Sequence, residues 1–288
     1  MSRRQSLQAR IDDYLAERRR QGFSLRSRDA FLSGFANFVV AKRHRGPLTA
    51  DLMVEWVRAG KGGHGDAGTW ARSWGRLRHF ICYLQQFEPD TEVPEASFFG
   101  PEPGRVAPHI YRDDEIVDLL AAAHRLGPAG SLRPHTYETL FGLMASTGLR
   151  VSEAIHLRDA DVDLQRGMLT IRQTKFAKSR QLPIHPSTVK ALARYRKQRG
   201  RHLPMTTGMP FLIGSRGYRL GLPLGERQAH RVFTGLRDCL GWVNRGGHDA
   251  PRLHDLRHTF AVRRLVRWYA AGADVDQREM MVRFDRGL

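Results

Sequence analysis

The apolar run Tyr137 to Met144 ends on Thr147-Gly148-Leu149-Arg150-Val151-Ser152-Glu153. Few arrangements accommodate this pattern other than a buried helix stopped by a tight turn. Gly148 suits the left-handed residue that ends such a helix, and a second helix is predicted to start near Arg150 with Ile155 and Leu157 inward. Arg150 then stands at a helix entrance, rooted in packed structure. Its guanidinium is a rigid fork of donors matched to a phosphate. Glu153, three residues on, can orient it across one turn. Taken alone, the segment reads sooner as a surface salt bridge at a helix start.

The rest of the chain is predicted to be mainly α with a small antiparallel β-sheet. Helices are expected over 6–20, 25–42, 49–59 and 69–87, carrying apolar stripes such as Leu7, Ile11, Tyr14 and Leu15, or Trp70, Trp74, Leu77, Ile81 and Leu84. The outer face of the fourth carries Arg72, Arg76 and Arg78, which fits a helical DNA-binding unit or a generic helical domain with solvated charges. Residues 88–112 hold Pro89, Pro94, Pro101, Pro103 and Pro108 with Gly100 and Gly104, and read as an extended linker. The domain boundaries so predicted are 1–88, a linker 89–112, and 113–288.

Beyond the linker, Asp113 caps a helix to Leu126, followed by helix 134–146 and the Arg150 helix. Alternating runs 168–173 and 180–185, with a shorter segment near 162–164, predict the sheet, with Lys175-Phe176-Ala177-Lys178 at its tip. Helices 187–198, 226–240 and 253–271 complete the domain. In Arg252-Leu253-His254-Asp255-Leu256-Arg257-His258-Thr259-Phe260, His254 and Arg257 share a helix face, with Leu253, Leu256 and Phe260 on the buried side. That face offers a phosphate a second guanidinium and a histidine able to donate or accept a proton. His258 lies on nearly the same face and reads as supporting. Lys175 or Lys178 on a hairpin tip could protonate a leaving oxygen, and spacing alone does not separate the two.

Charge and cysteine usage narrow the partner. With 47 Lys and Arg against 29 Asp and Glu, the net charge is +18, which favours a polyanion. Both predicted parts are basic, so a partner touching both is consistent. Cys82 and Cys239 sit in apolar surroundings and read as buried free thiols, with no disulfide framework and no CxxC metal spacing. No signal peptide and no apolar run of about 18 residues is evident, so a cytoplasmic protein is expected.

Thr-Gly-Leu-Arg-Val-Ser-Glu, a lysine hairpin ending Arg-Gln-Leu-Pro-Ile-His, and His-Asp-Leu-Arg-His-Thr-Phe together resemble the tyrosine recombinase, or phage integrase, family over residues 113 to about 276. The four helices and linker before them look like its SAM-like core-binding domain. The resemblance implies double-stranded DNA as partner and no metal or other cofactor. It implies Arg150, Lys175, His254 and Arg257 as catalytic residues around a scissile phosphate, with Lys175 favoured over Lys178 because the family's lysine starts that turn. Glu153 and His258 would support them, and Arg72, Arg76, Arg78, Lys178 and Arg180 would contact DNA. The chemistry implied is strand cleavage and rejoining through a 3′-phosphotyrosine, within a tetramer on DNA.

This chain departs from the family at its end. The family places a further His or Trp, and then the nucleophilic Tyr, well beyond the His-x-x-Arg helix. Here no histidine follows His258, and the only tyrosine after Arg257 is Tyr269, which reads as a packed core residue. The expectation is a chain whose final helices are missing: it binds DNA but does not cleave, leaves apolar surface near helix 253–271 uncovered, and assembles poorly. The alternative is an active recombinase or type IB topoisomerase-like enzyme using Tyr269. A non-catalytic RNA-binding or scaffolding protein is a further alternative.

Overall fold

In the computed structural model, residues 6–21, 25–60, 65–102, 104–172, 179–204, 208–215 and 219–272 are described. Lys175 and Lys178, on which the hairpin-tip expectations rest, lie outside the described residues. The chain forms two compact units, Met1–Arg105 and Val106–Leu288.

The first unit holds α1 (Leu7–Arg20), α2 (Arg26–Ala41), α3 (Ala50–Ala59) and α4 (Ala67–Gln85). Ser6, Thr49 and Asp66 cap α1, α3 and α4 by accepting backbone N–H bonds in the first turn. Ile11, Leu32, Phe35, Met53, Trp74, Leu77 and Phe80 form the core, each no more than 1% exposed.

The Pro-rich stretch is not a free spacer from 89 to 112. Trp74 donates its indole N–H to the Glu95 carbonyl at 2.6 Å, and Arg78 Nε donates to the Pro94 carbonyl at 3.0 Å. Phe98 and Phe99 lie 5.3 and 5.2 Å, centroid to centroid, from the Trp74 ring. Residues 106–112 instead belong to the second unit, where His109 and Tyr111 are each 1% exposed. Proline rules out helix and strand interiors, but an irregular segment rich in aromatic side chains still gains by burying them.

The second unit contains α5 (Asp113–His124), α6 (Arg133–Thr147), α7 (Val151–Ile155), α8 (Pro186–His202), α9 (Glu226–Leu240) and α10 (Asp255–Ala270). An antiparallel sheet of β1 (Val162–Asp163), β2 (Met168–Ile171) and β3 (Arg180–Pro183) runs in the order β1-β2-β3, with Ile171 opposite Arg180. The mainly helical class with a small antiparallel sheet is as expected. At the centre lies α6, which buries Leu140, Phe141, Leu143 and Met144. The isolated apolar segment Phe211–Ile213 is fully buried. Arg199, also fully buried, donates to the carbonyls of Pro210 and Phe211 at 3.0 and 2.8 Å and pairs with Asp159. Those bonds satisfy the loop carbonyls that burial would otherwise leave costly.

Three expectations about packing fail. Tyr269 is 68% exposed, and with Val262 and Val266 it forms an exposed apolar stripe along α10. The buried stripe of α10 ends at Thr259, so the later turns run past the core. Cys239 is exposed and Cys82 only half-buried. The buried stripe of α9 stops at Leu236, one turn short of Cys239. Among the described residues, no helix is long and apolar enough to cross a membrane.

Candidate active site

The end of α6 builds the site. Gly148 has φ +66° and ψ 18°, and its N–H bonds to the Met144 carbonyl. A Cβ here would drive into the Phe260 ring of α10, so the glycine is required twice, by its backbone and by its neighbour. This close approach joins the two informative stretches, which lie far apart along the chain.

Arg150 stands at the N-cap of α7, where its backbone N–H donates to Glu153 Oε2 at 2.9 Å and its Nη1 to Glu153 Oε1 at 2.9 Å. Two more guanidinium groups reach the same carboxylate. Arg180, at the start of β3, donates from Nη2 at 3.0 Å, and Arg257, on α10, places Nη1 3.8 Å away. Arg257 Nη1 also donates to the Gly148 carbonyl at 2.5 Å. Among the described residues, three guanidinium groups thus face one carboxylate, on a Glu153 side chain only 7% exposed. Burial alone would raise the Glu153 pKa. The Arg150 N–H and the Arg180 guanidinium overcome it and hold the carboxyl below its usual range.

His254 precedes α10, and its ring packs edge-on against His258 with centroids 4.9 Å apart. Burial, then the neighbouring His258 and Arg257, lowers the His254 pKa. His258 is lowered chiefly by burial. Both imidazoles therefore favour the neutral form, in which one nitrogen donates and the other accepts. Beneath them lies Asp255, fully buried, which accepts from the Arg252 backbone at 2.9 Å and from Arg252 Nη2 at 2.8 Å. Thr259 Oγ1 donates to the Asp255 carbonyl and accepts the Tyr111 N–H at 2.9 Å, fixing the start of α10.

The residues named from sequence thus divide into groups. Arg150, Glu153 and Arg257 converge, with His254 and His258 beside Arg257. Arg180, expected as a DNA contact, has a side chain only 13% exposed and is turned to Glu153. In the first unit Arg72 and Arg76 project to solvent from α4, while Arg78 is half-buried against the Pro94 carbonyl. The sequence reading missed the structural part of Asp255 and the contact of Gly148 with Phe260. An acidic residue three positions after Arg252 was the available signal for the first. Nothing local signals the second.

Comparison with known proteins identifies the family. The phage integrase family model matches residues 110–281. The integrase/recombinase-like protein y4rB of Sinorhizobium fredii is 37% identical over 93% of this chain and 84% of its own length. The tyrosine recombinase XerC of Rhodospirillum centenum is 31% identical over 90% of this chain and 73% of its own. Among solved structures, the Tn1549 transposon integrase in complex with a circular intermediate DNA superposes with a TM-score of 0.65 at 15% identity, covering 99% of this chain and 92% of that one. A lambda integrase tetramer bound to a Holliday junction gives 0.59 at 18% identity, covering 90% and 72%. A fold shared across that sequence distance, a family model spanning more than half the chain, and relatives aligned over most of their length have one common explanation: the chain belongs to the phage integrase family of tyrosine recombinases.

Proposed function

We propose that this chain binds double-stranded DNA and holds one phosphodiester between Arg150 and Arg257. The observation that carries the reading is the single buried carboxylate of Glu153, reached by both guanidinium groups from positions 107 residues apart in sequence. The Arg150 guanidinium pairs with Glu153 through Nη1 and still has donors for a phosphate. Arg150 leaves 37% of its side chain exposed, so an incoming anion has access to it. Among the described residues, guanidinium groups outnumber carboxylates at this point, which favours that anion, and phosphoryl transfer rests mainly on positioning and stabilising the charge of the phosphoryl oxygens.

In this reading neutral His254 hydrogen-bonds a non-bridging oxygen. Lys175 serves as general acid to the leaving 5′-oxygen. Arg72 and Arg76, with Lys178, neutralise backbone phosphates elsewhere on the duplex. Arg180 acts indirectly, by holding Glu153. Assembly on DNA is as a homo-oligomer, for which the stripe of Val262, Val266 and Tyr269 supplies exposed apolar surface.

The attacking group of the family is a tyrosine, and the only one after Arg257 in residues 1–288 is Tyr269. Its exposure leaves it free to react, but it sits twelve positions along α10 from Arg257. At 1.5 Å per residue that is ~18 Å, too far to reach a phosphate held by Arg257 of the same subunit. In this reading the chain grips the phosphodiester without cleaving it, because Tyr269 of the same subunit does not reach it. A duplex nicked beside the target phosphate traps any covalent adduct. The expected result is retention of duplex DNA with no adduct. A covalent product abolished by Tyr269→Phe would overturn the cleavage defect. Equal affinity for duplex DNA and RNA across a salt titration would overturn the DNA reading.

A further inference from the structure

The N-terminal end of α6 carries a second cluster, remote from the arginines. His135 and Glu138 are three residues apart, so they project from one face of the helix. The residues between them, Thr136 and Tyr137, point the other way and are 0% and 3% exposed. Thr136 donates to the Leu132 carbonyl at 3.2 Å and meets the Tyr195 hydroxyl at 3.3 Å, which fixes the rotation of α6 about its axis. His124, the last residue of α5, comes to the same point from the neighbouring helix. Its Nδ1 lies 2.8 Å from Glu138 Oε2, and its ring centroid lies 5.5 Å from that of His135.

We propose that His124, His135 and Glu138 form a binding site for a borderline transition-metal ion of the Zn2+ class. One ligand atom from each residue lies within 4.8 Å of the other two. Tetrahedral Zn2+ with bonds of about 2.0–2.1 Å needs ligand atoms ~3.4 Å apart. The spacing is therefore met by small rotations of exposed and half-buried side chains, without moving either helix. Two imidazoles and one carboxylate are a donor set that Zn2+ accepts with one position left over. His202, at the end of α8, lines a hollow together with His124 and His135 and is the candidate for that position, with water as its competitor. Arg125 and Arg201 also line the hollow and oppose a dication. Glu138 is the one anionic ligand that offsets them.

An ordinary surface pair of His124 and Glu138 would account for their mutual contact, but it gives His135 no reason to share the point. The site is also separate from the phosphate grip. His135 and Glu138 precede Gly148 by thirteen and ten residues on the same helix, which is roughly 15–20 Å along the axis. A bound ion would join α5 to α6, the helix that ends at the Gly148 turn.

The test uses the full chain after chelator treatment and dialysis, with Zn2+ titrated by calorimetry and by thermal melting, and Co2+ as a visible-absorbing probe. The expected result is one ion bound per chain and a rise in Tm. His124→Ala, His135→Ala and Glu138→Gln should each weaken binding by more than the roughly 10–100-fold that follows loss of a ligand's supporting partner. His124 is exposed, so its variant keeps the fold even where His135→Ala does not. Arg150→Ala should leave Zn2+ affinity unchanged. Affinity unaffected by His124→Ala and Glu138→Gln, or reduced as much by His44→Ala on the other unit, would overturn the proposal.

Discussion

Gly148→Ala is the sharpest probe of how the two halves of the site are joined. The substitution adds one methyl group, and its cost has two separable parts. Holding an L-residue at φ +66° costs about 1–2 kcal/mol. The new Cβ also enters the Phe260 ring, and such overpacking costs about 1–3 kcal/mol as α10 yields. The expected loss is therefore about 2–5 kcal/mol, well beyond the 0.4–1 kcal/mol that a less flexible unfolded chain returns. Because Arg257 and His254 ride on α10, the same shift moves them away from Arg150, so DNA affinity should fall as well. Urea denaturation of the full chain gives the stability change from the midpoint and slope. Repeating it in a Phe260→Ala background isolates the second part. There the glycine substitution should cost only the backbone share, giving a coupling of about 1–3 kcal/mol between the positions. A Gly148→Ala protein within about 0.5 kcal/mol of the parent, or a penalty unchanged by Phe260→Ala, would refute the claim that this glycine sets the approach of α10.

Other substitutions read the electrostatics. Glu153→Gln leaves three guanidinium groups facing each other around a side chain 7% exposed and should cost about 3–5 kcal/mol. Because the folded pKa of Glu153 is depressed, its contribution is complete above the unfolded value of about 4.3 and is lost as pH falls through the folded value. Denaturation curves of parent and variant should thus converge in acid. Arg150→Ala should leave the melting temperature unchanged and reduce the slope of log affinity for duplex DNA against log salt by about 0.9. The depressed pKa of His254 means that below about pH 6.5 the unfolded chain takes up a proton that the folded site resists. Stability should fall from there through the folded value, and His254→Gln should lose less of it between pH 7 and pH 5.

Two of the failed expectations, those for Tyr269 and Cys239, share one cause. Tyr269 and Cys239 were placed in the core because their immediate neighbours are apolar, yet each lies beyond the point where its helix leaves the packed interior. A helical stripe marks a face and does not tell how far along that face the core extends. Backbone preferences make the Pro-rich stretch a spacer, but its aromatic side chains pack against Trp74 instead.

Local chemistry within a few residues was legible in the sequence of this protein: the helices and their apolar faces, the turn at Gly148, the Arg150–Glu153 pair, and the motifs that mark the family. Each of these depends on backbone preferences and on side chains three or four positions apart. The meeting of Arg180 and Arg257 at Glu153, the ring of Phe260 against Gly148, and the approach of His124 to His135 and Glu138 depended on how separate helices and strands pack. Periodicity repeats every few residues and carries no record of which distant element will cover a face. Only the tertiary fold, by closing the core between α6, α10 and the sheet, decides which charges must share a buried carboxylate.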